Sequence, residues 1–203
     1  MTGRPSTVVF DLGGVLYDWD PRYLYRKLFD NEGAMEDFLG TVCTRAWHVR
    51  QDAGRSIAEA EAEAKSRHPD KAGLIDAYYG RWPEMFRGAI EGTVEIMADL
   101  KARGWPLYCL SNGPAETFPY VRSRFDFIDW FEGIVVSGDV GLLKPDRRIY
   151  ELLLDTHGLR AGDAVFVDDL AENVDAARSL GFHGIRFDGP ERLRVELGAL
   201  GLL

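Results

Sequence analysis

The sequence predicts an α/β fold: a mostly parallel sheet with helices on both faces and a helical subdomain inserted after the first strand. Three observations predict it. Four short apolar runs have the length of buried strands and end in polar residues; helical patterns closed by glycine lie between and after them; and one long stretch lacks strand-like runs. Strands that alternate with helices need crossover connections, so they pair in parallel and bury both faces of the sheet.

The first run, Thr7-Val8-Val9-Phe10, is β-rich and closes on Asp11 and then Gly13-Gly14, a buried strand opening into a loop. Residues 20–88 follow, rich in Ala, Glu and Arg and punctuated by Trp47, Tyr78, Tyr79, Trp82 and Phe86. That segment reads as the helical insertion, with Ser56-Ile57-Ala58-Glu59 at capping-box spacing to open a helix running through Lys65 toward Pro69. The alternation then begins: helix Val94 to Arg103 stopped by Gly104, strand Leu107 to Leu110 ending in Ser111-Asn112-Gly113, and strand Gly133 to Val136 ending in Ser137. Helix Arg147 to His157 stopped by Gly158, strand Ala164 to Val167 ending in Asp168-Asp169, and helix Glu172 to Leu180 stopped by Gly181 complete the series. The expected division is residues 1–19 and 89–203 for a Rossmann-like core and 20–88 for a helical cap. Ligands of such sheets bind beyond the carboxyl ends of the strands, where every polar cluster just named falls.

Bulk properties bound the function. At 203 residues, 46% hydrophobic and 28% charged, the chain suits one core with an insertion. A net charge of -9 denies it the electrostatic footprint of a nucleic-acid or anionic-membrane partner, although a local positive site could hold a small anion. The opening MTGRPSTVVF has no apolar run of signal-peptide length and no stretch is long enough to span a bilayer, so a cytoplasmic location is expected. Cys43 and Cys109 are too few for a disulfide framework or thiolate cage and read as packing residues. No feature specifies an oligomeric state.

Chemistry concentrates at the strand ends. A carboxylate at a strand edge, followed by glycines that let a ligand approach the backbone, can attack phosphorus, and Asp11 fits that role. Such a nucleophile facing a phosphate dianion needs a cation; Mg2+ favours carboxylates plus phosphate oxygens, which Asp168 and Asp169 supply. Lys144 can project into the loops and neutralise both Asp11 and the phosphoryl oxygens, while Ser111 and Asn112 offer fixed dipoles to the transferring group. Taken singly, each has an ordinary structural alternative: a turn for Asp11 or Ser111-Asn112, a helix cap for the paired aspartates, solvent decoration for Lys144.

Four segments remove that ambiguity by occurring together and in order: VVFDLGGVL, the pair Ser111-Asn112 after LYCL, Lys144-Pro145-Asp146, and VFVDDLAENVDAARSLG. In order and approximate spacing they resemble the four signature motifs of the haloacid dehalogenase (HAD-like) superfamily, a likeness reaching from residue 7 to about 187. The resemblance implies a Mg2+-dependent phosphatase of a small-molecule phosphate ester, working through an aspartyl-phosphate on Asp11. Asp11, Lys144 and Ser111 would be catalytic, and Ser111, Asn112 and Lys144 would bind substrate. Asp11, the backbone carbonyl of Gly13 and Asp169 would ligate the metal. Asp168 stands where relatives carry either glycine or an acidic residue, so direct ligation by it stays open; Asn173 stands at a position that is acidic in many relatives.

One departure bears on mechanism. Most phosphatases of this superfamily carry a second aspartate two residues after the nucleophile as general acid and base; here that position is Gly13. Asp-Leu-Gly-Gly-Val instead resembles a subgroup related to glucose-1-phosphate-type phosphatases. Either another group donates the proton, with Asp18, Asp20 and His48 as candidates, or the substrate has a good leaving group, which the subgroup resemblance favours. Two rival functions are dehalogenation of a haloacid, whose enzymes need no metal and lack the paired aspartates, and a catalytically weak regulator that binds a phosphorylated ligand. Specificity would come from the cap, where Trp47, His48 and Arg50 are candidate contacts, although packing is the commoner fate of such residues.

Overall fold

The computed structural model describes residues 5–203; residues 1–4, the start of the segment assigned to the core, lie outside the described residues. The chain opens with β1 (Thr7–Phe10) and β2 (Tyr17–Trp19) and then enters five helices: α1 (Arg22–Tyr25), α2 (Glu32–Thr41), α3 (Arg45–Asp52), α4 (Ile57–Arg67) and α5 (Ala72–Gly80). It returns through β3 (Phe86–Ala89), α6 (Glu91–Ala102), β4 (Leu107–Ser111), α7 (Phe118–Arg124), β5 (Gly133–Val136) and α8 (Ser137–Val140). It ends with α9 (Arg147–His157), β6 (Ala164–Asp168), α10 (Ala171–Ser179), β7 (His183–Arg186) and α11 (Pro190–Ala199).

Five strands form one parallel sheet in the order β5-β4-β1-β6-β7. β1 is central because it is apolar on both faces: Val8 and Phe10 pack with Leu107, Cys109, Val165 and Val167 on one side, and Val9 packs with Phe166, Ile149, Tyr150 and Leu153 on the other. Burying such a side chain stabilises by about 1.5–3 kcal/mol, which is why the strands are uninterrupted apolar runs rather than alternating ones. Parallel pairing brings the carboxyl ends to one edge. Asp11 follows Phe10, which is in register with Val167, so Asp11 lies alongside Asp168, and its N–H donates to the Val167 carbonyl at 2.9 Å.

The helices between β2 and β3 cover that edge. Their own centre is aromatic, with Tyr25, Phe38 and Tyr78 fully buried and continuous with one face of the sheet. Ser56 opens α4 as its spacing predicts: its Oγ accepts from the Glu59 N–H and donates to the Glu59 carboxylate at 2.8 Å.

Three features depart from the sequence reading. The sheet has a fifth strand, β7, and an antiparallel ribbon pairs β2 with β3, part of which lies in the segment read as free of strands. Their sequences, YDW, FRGA and HGIR, are short, and only Phe86 and Ile185 in them are buried, so they carry neither an apolar run nor a clean alternation. Helix α6 starts at Glu91 rather than Val94 because no side-chain cap marks its beginning. Among the described residues, no helix is long and apolar enough to cross a membrane.

Candidate active site

β1, β4 and β6 each run out of apolar residues at the same edge and deliver Asp11, Ser111 and Asp168 there, all buried. Lys144, from the loop before α9, completes the centre: its ammonium lies 2.9 Å from Asp11 Oδ1 and 2.7 Å from Asp168 Oδ2, and its side chain is wholly buried. Burial alone would pull the Lys144 pKa down, but Asp11 and Asp168 outweigh it and hold the group above the usual lysine value. It is a permanent cation.

Asp168 is fully engaged. Besides Lys144, it accepts from Asn173 Nδ2 at 2.9 and 3.0 Å and from the Leu170 N–H at 2.9 Å. Asp169, by contrast, points toward the loop after β1. Gly14 there has φ 74°, and a Cβ on it would lie 2.7 Å from Asp169 Oδ2, so only glycine lets the nucleophile loop and this carboxylate approach each other. Gly13, the other loop residue expected at the metal, lines the same cavity.

Asp11, Asp168 and Asp169 each offer a carboxylate oxygen within 4.8 Å of the others. One ammonium against three carboxylates leaves a deficit of positive charge. It shows in Asp11, whose carboxyl is pushed up to about 7, first by burial and then by the Asp168 and Asp169 charges, with Lys144 opposing. Burial and Asp168 likewise raise Asp169. Asn173 Oδ1, buried and without a hydrogen-bond partner, adds an oxygen beside the cluster. An all-oxygen, anionic donor set of this kind suits a hard divalent cation such as Mg2+.

Asn112 lines the cavity beside Ser111 and is also tied to the lysine loop. Its amide oxygen accepts from the Lys144 N–H at 2.8 Å and its Nδ2 donates to the Lys144 carbonyl at 3.0 Å, so the side chain braces the lysine loop. Ser111 has no such commitment and lines the cavity.

That cavity, of about 540 Å3, lies between the strand ends and the cap helices, with Asp11 and Lys144 at its floor. Tyr17, Trp19, Tyr78 and Trp82 contribute aromatic wall, and polar groups come from Arg45, His48 and Asp52 on α3 and from the paired Arg22 and Glu36. Of the three candidate cap contacts, Trp47, His48 and Arg50, only His48 lines it. Trp47 donates its indole N–H to the Ala60 carbonyl at 3.2 Å within the cap, and Arg50 pairs with Glu63 outside the cavity. Asp18 and Asp20 also stand outside: Asp18 accepts from Tyr23 Oη at 2.8 Å and Asp20 accepts from the Arg22 N–H at 2.8 Å. Neither is placed as a proton donor. Asp52 was not anticipated; lying in RQDAG, among ordinary helix residues, it gave no motif to find it by. Cys43 and Cys109 are free and buried, and burial pushes the Cys43 thiol up to about 12, consistent with packing roles.

Comparison with known proteins agrees with this geometry. The model of the haloacid dehalogenase-like hydrolases matches residues 5–181. The sesquiterpene phosphatase astK of Aspergillus oryzae is 29% identical over 196 residues, covering 96% of each chain. An (S)-2-haloacid dehalogenase of Pseudomonas sp. is 35% identical over 180 residues, 89% of this chain and 68% of that one. A HAD family enzyme from Bacteroides thetaiotaomicron, solved in complex with magnesium and inorganic phosphate, superposes with a TM-score of 0.67 at 23% identity, over 91% of this chain and 95% of that one. With the four motifs gathered at one sheet edge and the family model spanning most of the sequence, this chain belongs to the haloacid dehalogenase-like hydrolases.

Proposed function

We propose that this hydrolase is a Mg2+-dependent phosphatase of small organic phosphate monoesters, with Asp11 as covalent nucleophile and residues 20–88 as its cap. The observation that carries the reading is the cluster of three carboxylates around a single buried ammonium, open to a closed-over cavity. A halogenated acid attacked at carbon has no use for so much uncompensated negative charge, whereas a phosphate ester arriving with a divalent cation does. Two relatives support it, a phosphatase matched along nearly its whole length and a fold neighbour solved with magnesium and phosphate.

Asp11, Asp169 and the Gly13 carbonyl would hold the cation, whose part is to offset charge on the phosphoryl oxygens and the nucleophile. Asp168 keeps Lys144 in place, and Lys144 favours the ionised form of Asp11 against its burial and faces the transferring group. Ser111 donates its hydroxyl to a phosphoryl oxygen, and Asn112 fixes the loop that carries Lys144. Arg45, which makes no side-chain hydrogen bond or ion pair among the described residues, supplies positive charge at the cavity wall. Asp11 attacks phosphorus, the ester oxygen departs, and water releases the aspartyl-phosphate.

The test is release of phosphate from p-nitrophenyl phosphate with and without Mg2+. Turnover that EDTA abolishes and Mg2+ restores is expected; release of halide from 2-chloropropionate, unaffected by EDTA, would establish the dehalogenase reading instead.

A further inference from the structure

Gly13 leaves the nucleophile loop without an acid, and the departing oxygen of an alkyl ester needs a proton. The cavity wall opposite Asp11 contains one. Asp52 closes helix α3 with its side chain only 9% exposed, and its Oδ1 is buried with no hydrogen-bond partner. The nearest basic atom, His48 Nε2, is 3.4 Å away and not aligned for a bond. The backbone of Asp52 is pinned, its carbonyl accepting from Ser137 Oγ at 2.7 Å. His48 is fixed too, with Nδ1 3.0 Å from the Tyr79 hydroxyl and its ring stacked on Trp19 and Trp82.

We propose that Asp52 is the general acid and base of the reaction, serving from the cap the role that an aspartate at position 13 would serve from the core. The inference rests on the phosphatase reading. In the first half-reaction a carboxylate oxygen of Asp11 bonds to phosphorus, the bond from phosphorus to the ester oxygen breaks with its electron pair on that oxygen, and the Asp52 proton moves there to give a neutral alcohol. In the second, the Asp52 carboxylate takes a proton from water as the water oxygen bonds to phosphorus. The bond to Asp11 then breaks, returning the Asp11 carboxylate, inorganic phosphate and a protonated Asp52.

The surroundings agree. Burial pushes the Asp52 carboxyl up to about 7, with Arg45 on its own helix opposing and the Asp11 charge reinforcing. Burial drives His48 the other way, down to about 4, so the imidazole is neutral and is no proton donor near neutrality. The remaining titratable neighbours are Tyr17 from β2 and Tyr78 and Tyr79 from α5, all held protonated, chiefly by burial. Of the cap groups facing the cavity, Asp52 is the one poised to give and retake a proton near pH 7, Asp11 being engaged as the nucleophile. This reading takes the other of the two sequence-based alternatives, a proton donor in place of a good leaving group.

The experiment is a leaving-group series, alkyl to aryl phosphates, measured with Mg2+ on wild type, Asp52→Asn and Asp52→Glu. Wild type is expected to show a shallow dependence on leaving-group acidity. Asp52→Asn should lose about 100- to 10,000-fold on primary alkyl phosphates and less than about tenfold on p-nitrophenyl phosphate, and Asp52→Glu should recover part of the alkyl rate. A steep dependence in wild type, or an equal loss on both ester classes in Asp52→Asn, overturns the assignment. Should Asp52→Asn fail to fold, the wild-type dependence decides alone. A wild type that hydrolyses p-nitrophenyl phosphate with a steep dependence removes Asp52 but keeps the phosphatase; one that hydrolyses no phosphate ester removes both.

Discussion

Two adjacent carboxylates at the end of β6 have different jobs, and substitution separates them. Asp169, with one face toward the Gly14 loop, is the proposed cation ligand: Asp169→Asn should raise the Mg2+ concentration needed for half-maximal rate while leaving thermal stability nearly unchanged. Asp168 is the buried partner of Lys144, so Asp168→Asn weakens the pairing of a wholly buried ammonium. Uncompensated buried charge costs about 3–5 kcal/mol, and a loss of that order is expected in denaturant unfolding, together with a large fall in kcat. Equal Mg2+ requirements in the two variants would contradict the division. The sequence displayed both aspartates without ranking them, because ranking needs Asn173 and the Leu170 N–H, partners that only the turn into α10 brings to Asp168. Asp11 and Ser111 were legible because each stands at the end of a readable strand, and Lys144 because it opens the run Lys144-Pro145-Asp146 ahead of a helix capped by Asp146. Asp52 was not, since nothing in a helical run says which side chain will overhang a distant sheet edge.

At the scale of elements, the cap is tied to the core by few polar contacts. Ser137, at the start of α8, donates to the Asp52 carbonyl at 2.7 Å, and Glu116 accepts from the Ile57 N–H at 2.7 Å. Gly138 lies so close beneath the loop after β4 that a Cβ there would be 2.4 Å from the Ala115 nitrogen. Ser137→Ala leaves a buried carbonyl unpaired, which costs about 1–3 kcal/mol. Its expected signature is faster amide hydrogen exchange in α3 and a raised KM, with exchange in β1 and β6 unchanged; uniform loosening of the sheet would show that the contact supports the fold rather than the cap. Helix ends were well read where chemistry marks them, as at Ser56 for α4 and Gly158 for α9. The ribbon of β2 and β3 escaped because its pairing is long-range and its residues are half-buried.

For the molecule as a whole, the buried carboxyls make stability depend on pH. Unfolded aspartates lose their protons near pH 4, whereas Asp52 in the folded protein holds its proton to about 7. Between those values the folded state binds the extra proton, so this group's contribution is greatest below about pH 4, declines as pH rises, and levels off above about 7. Asp52→Asn removes that slope: in the metal-free protein, the stability of the variant relative to wild type should improve as pH is raised from about 4 to about 7, and a constant difference would contradict the shifted carboxyl. Mg2+ should stabilise wild type at neutral pH, by about 2.7 kcal/mol at a hundred times its Kd. The catalytic expectations depend on Asp11 as the residue that takes the phosphoryl group. The most direct measurement is mass spectrometry of the protein acid-quenched in the first turnovers of p-nitrophenyl phosphate with Mg2+. A phosphoryl group on the Asp11 peptide, absent after EDTA treatment and absent in Asp11→Asn, is the expected result; phosphate release at the wild-type rate by Asp11→Asn, or a phosphoryl group on a different residue, would contradict the account.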